Sequence, residues 1–247
     1  MGVTLVIPAR YGSKRFPGKP LAPIGGRPLI QYVYELALKA RFVKEVLVAT
    51  DDQRILDKVK SFGGKALMTS DKSRTGGDRL AEVAGKIDSE IYVNLQGDEV
   101  PTDPAFIDGL IEAFQREPGI EMATLKREMN SMSDVTNPNL VKVVTDIDGF
   151  AMYFSRSPIP CIRDLSDHER VPPKTYYQHL GIYIYRKGPL IEFSKMPTGL
   201  LEDCEKLEQL RFIEMGHRIK VYETACDSCR VDTQDDLEEA ARRLGVK

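Results

Sequence analysis

The sequence predicts an α/β fold in which helices cover both faces of a mostly parallel, Rossmann-like sheet. Over the first hundred residues, short β-branched runs alternate with amphipathic helical patterns. The connections between these runs are long enough to hold the crossover helices that parallel pairing requires. In the middle third, strand-like runs follow one another without long helices between them, which predicts an antiparallel insertion at about 139–186.

The first half of the chain supplies the elements of the parallel part. Strands are predicted at Val3–Pro8, Val46–Thr50, Lys65–Thr69 and Ile91–Leu95. Helices are predicted from Pro28, after the capping pair Asp51-Asp52, over Arg79–Ile87, and after Asp103-Pro104. Each helix shows apolar residues at three- and four-residue spacing, which is typical of one buried face. Ligands of such sheets bind outside the carboxyl ends of the strands, so we expect a site there.

The second half closes the fold. A helix is predicted around Glu205–Met215, a strand at Arg218–Glu223, and a last helix with Thr233 as its N-cap. No composition break, repeat or low-complexity segment marks a linker. We therefore expect residues 1–247 to form a single domain, in which the insertion shapes a second pocket or a dimer contact.

The composition excludes several classes of protein. Of the 247 residues, 42% are apolar and 29% are charged. No apolar run approaches the roughly eighteen residues of a membrane helix, and the first residues show no basic leader with a cleavage site. Four cysteines in a chain of this length do not make a disulfide scaffold, so reduced thiols and a cytoplasmic location are expected. A net charge of −2 argues against a nucleic-acid binder with a broad basic face.

A cationic loop stands out against this acidic background. The first 34 residues carry five basic residues and no acid, whereas the remainder holds 30 basic and 37 acidic residues. The loop Pro8–Pro20 combines glycines that permit close approach with cationic side chains that could surround a triphosphate. The alternative is that these basic side chains form only a solvated edge of the protein. The loop is not a P-loop, because five residues separate Gly12 from Gly18 and a proline follows Lys19.

Two aspartates are candidate ligands for a divalent cation. Asp98 follows a buried strand, and Asp232 precedes the last helix. Either could simply cap a turn or a helix. Magnesium is commonly held by one or two carboxylates together with substrate phosphates, so two aspartates that face the cationic loop would satisfy its needs.

The cysteines and histidines give weaker signals. Cys226 and Cys229 form a CxxC pair, but no second pair at zinc-site spacing accompanies it, so unpaired thiols are favoured over a metal or redox site. A histidine such as His179, at the entrance of a strand, is as often a structural hydrogen-bonding group as a ligand contact.

Six segments together resemble one known family over essentially the whole chain. They read VIPARYGSKRFPGKPL, NLQGDE, YFSRSPIP, QHLGIYIYR, LEQLR and VDTQDDLE. In this order they are similar to the 3-deoxy-manno-octulosonate (Kdo) cytidylyltransferases, the CMP-Kdo synthetases of lipopolysaccharide biosynthesis. The resemblance implies a nucleotidyltransferase fold, a homodimer, CTP and Kdo as substrates, and Mg²⁺ as cofactor, with neither nucleic acid nor membrane as partner.

The resemblance also implies roles for individual residues. The nucleotide would be bound by Ala9, Arg10, Ser13, Arg15, Lys19, Asp78 and Arg79, with Lys19, Arg10 and Asp98 as the catalytic residues. Asp98 and Asp232 would hold the metal. The sugar acid would be bound by Gln96, Arg156, His179, Tyr183, Glu208 and Gln209.

The sequence departs from the family pattern at several points. The base-contacting loop reads Arg74-Thr75-Gly76-Gly77-Asp78-Arg79 instead of Ser-Gly-Thr-Asp-Arg, and the NLQGDE segment continues with one additional residue, Val100. The segment before LEQLR is changed, and Arg230 replaces the usual glycine before Val-Asp-Thr. The last two changes lie near the sugar side, so 8-amino-Kdo or a nonulosonate remains an alternative substrate. A nucleotide-binding module without catalysis is a further alternative.

Overall fold

The computed structural model describes residues 2–12, 16–101, 103–163, 171–226 and 228–246. Four parallel strands lie in the order β6-β1-β4-β5. Their bounds are β1 Val3–Ala9, β4 Glu45–Thr50, β5 Ala66–Met68 and β6 Ile91–Leu95. The helices between and after them are α1 Leu29–Ala37, α2 Gln53–Ser61, α3 Gly76–Ala84 and α4 Ala105–Arg116. A short hairpin of β2 (Pro23–Ile24) and β3 (Arg27–Pro28) precedes α1.

The remaining strands extend this sheet. They are β8 Met122–Glu128, β9 Lys142–Thr145, β10 Ala151–Ser155, β11 Tyr177–Arg186 and β12 Ile219–Glu223. The long strand β11 runs antiparallel to β6, β8 and β9, and so joins the two parts. A separate small ladder pairs β7 (Glu99–Pro101) with β13 (Ser228–Arg230). The other helices are α5 Met132–Thr136, α6 Lys187–Lys195, α7 Leu200–Glu205, α8 Gln209–Glu214 and α9 Gln234–Arg243.

The sheet is buried on both faces, which confirms the predicted three-layer α/β fold. Along β1, Leu5 and Ile7 belong to a core shared with α1 and α4, whereas Val6 belongs to a second core shared with α3 and α6. Successive side chains of a strand point to opposite faces, so one strand can serve both cores. None of the described helices is long and apolar enough to cross a membrane.

Most of the predicted elements are present, with two differences at helix boundaries. The prediction of one helix over Glu205–Met215 is wrong, because Lys206 adopts a left-handed conformation with φ 55° and separates α7 from α8. Helix α3 begins three residues before the predicted Arg79, because Thr75 and Asp78 form a reciprocal capping box at its N-terminus. Both differences lie beside the site described next.

Candidate active site

Lys19 is placed by the turn at the end of the cationic loop. Gly18 has φ +72°, and its backbone N–H donates to the carbonyl of Tyr11 over 2.8 Å. A side chain at this position would be strained and would press on the Tyr11 ring. The single 3-10 turn that begins at Lys19 then turns the lysine side chain inward, where the residue is 8% exposed. Ser13 and Arg15, also predicted for the nucleotide, lie outside the described residues.

Asp98 and Asp232 converge on this lysine. Lys19 Nζ donates to Asp98 Oδ2 over 2.7 Å, to Asp232 Oδ1 over 3.3 Å and to the Val231 carbonyl over 2.6 Å. The ladder of β7 and β13 brings the two segments together, and the Val231 N–H donates to the Asp98 carbonyl over 2.9 Å. All three ammonium protons are therefore used within the protein.

Charge keeps Asp98 ionised. Burial raises the pKa of Asp98, but the positive charges of Lys19 and Arg230 outweigh that effect and hold the pKa below its ordinary value. Arg230 also approaches Asp232, with 3.1 Å between Nε and Oδ2. Both aspartates are thus held in place by cations.

The donor chemistry of this pair fits a magnesium ion. Both side chains offer hard carboxylate oxygens. Lys19 Nζ contacts both of them, so the two side chains are close enough to converge on a single cation. Mg²⁺ usually takes only one or two carboxylates from a protein and completes its shell with water and substrate phosphates. Among the described residues, no group of three His, Cys, Asp or Glu is arranged to hold a metal. Cys226 and Cys229 are free thiols.

A cavity of about 480 Å³ opens beside Asp98. Arg10 and the loop of Arg74, Thr75 and Gly76 line it. The predicted sugar-binding residues line it as well, and they are Gln96, Arg156, His179, Tyr183, Glu208 and Gln209. The structure therefore gathers residues from distant segments around one space next to the carboxylate pair.

His179 and Tyr183 form the strand β11 side of the cavity. Thr124 Oγ1 lies 3.0 Å from His179 Nε2 and donates to the Ile182 carbonyl over 2.6 Å, so His179 Nε2–H is the donor to Thr124. Burial, with a smaller contribution from Arg230, lowers the pKa of His179 to about 3, so the ring is neutral at pH 7. The Tyr183 hydroxyl donates to Gln209 Oε1 over 3.0 Å, and burial raises its pKa well above the ordinary value.

Glu208 lies at the N-terminus of α3. The Gly77 N–H donates to Glu208 Oε2 over 2.8 Å, and Gln96 Nε2 donates to Oε1 over 3.4 Å. Burial raises the pKa of this carboxyl. A glycine is needed at position 77, because a Cβ there would lie 2.5 Å from Phe193 Cε1 and 3.1 Å from Glu208 Oε2.

Arg156 is fixed in the cavity wall by backbone carbonyls. Its Nε donates to the Glu205 carbonyl over 2.7 Å, and Nη1 donates to the Pro138 carbonyl over 3.0 Å. The Glu205 carboxylate in turn accepts from the Arg156 N–H over 2.9 Å. These contacts join the loop after β10 to the end of α7.

Four of the described residues predicted for the nucleotide do not line the cavity: Ala9, Lys19, Asp78 and Arg79. Asp78 accepts from Arg211 Nη1 over 2.9 Å and completes the capping box of α3. Arg79 is fully buried, and its Nη2 lies 2.7 Å from Asp51 Oδ2. Ala9 is the buried last residue of β1. Of the predicted base-contacting loop at residues 74–79, only Arg74, Thr75 and Gly76 line the cavity.

Comparison with known proteins identifies the family. The model of the family described as cytidylyltransferase matches residues 4–219. The chain belongs to the cytidylyltransferase family. It is 51% identical over 249 residues to the 3-deoxy-manno-octulosonate cytidylyltransferase of Geobacter sulfurreducens, covering 99% of this chain and 100% of that one.

Two further relatives of the family bear on the substrate. An 8-amino-3,8-dideoxy-manno-octulosonate cytidylyltransferase of Shewanella amazonensis is 48% identical, covering 100% of both chains. A solved structure of CMP:2-keto-3-deoxy-manno-octonic acid synthetase, complexed with CTP, superposes with a TM-score of 0.89 at 43% identity, covering 99% of each chain.

Some cavity residues were not predicted. Glu99 and Arg230 pair across β7 and β13, and Glu202, Asp203 and Lys206 come from the end of α7. The sequence offered one signal for Arg230, its position two residues before Asp232 where the family has glycine. The sequence gave no signal for the cavity residues of α7, because one helix was predicted around Glu205–Met215 and its interruption at Lys206 was not.

Proposed function

We propose that this protein is a cytidylyltransferase that activates Kdo with CTP, forming CMP-Kdo and pyrophosphate for lipopolysaccharide biosynthesis. The observation that carries the proposal is the cavity beside Asp98, lined by all the predicted sugar-binding residues, in a chain 51% identical over its length to a Kdo cytidylyltransferase. Fold alone would not suffice, since one fold serves many reactions.

The reaction needs no nucleophile from the protein. The anomeric hydroxyl of the sugar attacks the α-phosphorus of CTP, a new oxygen–phosphorus bond forms, the bond to pyrophosphate breaks, and the hydroxyl proton passes to solvent. Transfers of this kind depend on positioning and on neutralising the developing charge. Arg10, which lines the cavity, is suited to offset charge on the phosphates, with its Nη2 anchored on the Ser73 carbonyl over 2.6 Å.

Mg²⁺ is the cofactor that we propose, held by Asp98 and Asp232. When bound, the ion would neutralise charge on the phosphates and the sugar oxygens. Lys19, which donates to both carboxylates, would position this pair in addition to supplying a positive charge. We further propose that the enzyme is a cytoplasmic homodimer. The exposed Met152 on the edge strand β10 and Leu200 on the nearby α7 support an apolar contact surface.

The direct test is release of pyrophosphate from CTP, Kdo and Mg²⁺ by the purified protein. We expect turnover with Kdo and none when the sugar or the metal is omitted. A second substrate deserves the same assay, because the Shewanella amazonensis relative that is 48% identical is named for the 8-amino sugar. A kcat/KM higher for the 8-amino sugar than for Kdo would replace Kdo in the proposal. Single-turnover inactivity with both sugars would overturn it.

A further inference from the structure

Arg230 lines the cavity but was not predicted to contact a substrate. It is the last residue of β13, it pairs with Glu99 of β7, and it lines the cavity beside Asp98. Its side chain is 33% exposed. Its positive charge acts on Asp98, on His179 and on Tyr183, so it lies near both the carboxylate pair and the predicted sugar-binding residues.

The other cations of the cavity already donate to the protein. Arg10 donates to the Ser73 carbonyl, Arg74 to Thr198 Oγ1, Arg156 to the Pro138 carbonyl, and Lys206 to Asp203. In the part of the chain that the structure describes, Arg230 forms an ion pair with Asp232 through Nε, and its terminal nitrogens make no hydrogen bond to a protein group. The Nε side of its guanidinium therefore faces Asp232, and the terminal nitrogens are available to a ligand.

A guanidinium edge in this position suits a carboxylate. Two parallel N–H donors match the two oxygens of a carboxylate, and the pair is charge-assisted. The neighbouring Glu99 carboxyl accepts from Ser228 Oγ within the β7–β13 ladder. A 2-keto sugar acid such as Kdo carries its carboxylate on the anomeric carbon, and in the proposed reaction that carbon bears the attacking hydroxyl.

We propose that Arg230 binds the carboxylate of the acid sugar through its two terminal nitrogens and so determines specificity for acid over neutral sugars. This inference rests on the proposed function. Arg156, the arginine predicted to bind the sugar, is less suited to the carboxylate because its guanidinium already donates to backbone carbonyls. Arg230 would be a binding residue, with no covalent step of its own.

The test compares Arg230→Gln and Arg230→Lys with wild type in steady-state pyrophosphate release, with CTP and the sugar varied in turn. Loss of the guanidinium should raise KM for the sugar by about 10-fold or more in Arg230→Gln. Arg230→Lys, which keeps the charge but not the two parallel donors, should give an intermediate rise. KM for CTP, and CTP affinity by calorimetry, should stay within about twofold. Arg116→Gln, an exposed arginine of α4, is the control and should match wild type.

The primary amide of the acid sugar, used as a second substrate, tests whether Arg230 contacts the carboxylate. Wild type should discriminate strongly between the acid sugar and its primary amide, and Arg230→Gln should lose most of that discrimination. Unchanged discrimination in the variant would overturn the inference, since another group would then bind the carboxylate. A weaker CTP affinity would overturn it in favour of a phosphate contact. A fall in kcat with KM for the sugar unchanged would overturn it in favour of a purely electrostatic role beside Asp98 and Asp232.

The proposed function and the role of Arg230 are tested by different measurements. Wild-type turnover with an acid sugar tests the function, and the ratio of variant to wild-type KM tests Arg230. If Arg230→Gln unfolds, thermal denaturation will show it, and Arg230→Lys then decides: a wild-type KM for the sugar in that variant would contradict the two-donor contact.

Discussion

Lys19 donates to Asp98 over 2.7 Å, although 79 residues separate them in the chain. The same Nζ reaches Asp232, which lies 213 residues away. One ammonium group thus holds together three segments that each follow a different strand. Because the lysine contacts both side chains, it sets their relative position, and its charge helps to hold the pKa of Asp98 below its ordinary value.

The first prediction concerns the two carboxylates. Asp98→Asn and Asp232→Asn should each lower kcat by about 100-fold or more, because a metal ligand contributes several kcal/mol to stabilising charge in the transition state. Pyrophosphate release at saturating substrates measures the effect. Asp235→Asn, at an exposed position three residues further on, is the matched control and should keep wild-type activity. Turnover within threefold of wild type in either variant would remove that residue from the metal site.

The second prediction concerns the lysine. Lys19→Met keeps most of the apolar stem but removes the charge, so it separates electrostatics from packing. We expect a loss of turnover of about 100-fold, since the charge that offsets the carboxylates and the phosphates is gone. CTP should still bind, more weakly, and calorimetry measures that affinity. Normal turnover together with unaltered CTP binding would show that Lys19 serves neither the carboxylates nor the triphosphate.

The sequence predicted the parts of the site that depend on local pattern. Asp98 and Asp232 could be proposed because each follows a predicted strand or precedes a predicted helix, and ligands collect at strand ends. The β7–β13 ladder, which brings them together, joins residues 99–101 to 228–230 and has no local signature. The contribution of Arg230 depends on that pairing. The split between α7 and α8 was missed because the left-handed Lys206 lies in a segment whose apolar spacing favours one helix.

Acid sensitivity should depend on His179. Its pKa is lowered from the ordinary 6.5 to about 3, so below pH 6.5 the unfolded chain binds a proton that the native protein does not. Stability contributed by the neutral ring is complete above pH 6.5 and is lost as the pH falls toward 3. Between pH 7 and pH 4.5, wild type should lose about 2 kcal/mol more of its free energy of unfolding than His179→Gln or His179→Phe does. Urea titrations at the two pH values measure this, and parallel losses in all three proteins would contradict it.

The last prediction uses a pair of glycines in two helices. Gly77→Ala would place a Cβ 2.5 Å from Phe193 Cε1, so the N-terminus of α3 must shift. We expect a loss of about 1–3 kcal/mol in the free energy of unfolding, as for other overpacked cores. Because the Gly77 N–H donates to Glu208, KM for the sugar should rise as well.

Gly109→Ala is the control. Gly109 lies within α4 with nothing within 4 Å of the added Cβ, so this substitution should raise the free energy of unfolding by about 0.5–1 kcal/mol through helix propensity. Urea midpoints of the two variants should therefore move in opposite directions. A common direction would mean that the contact with Phe193 does not limit the residue at position 77.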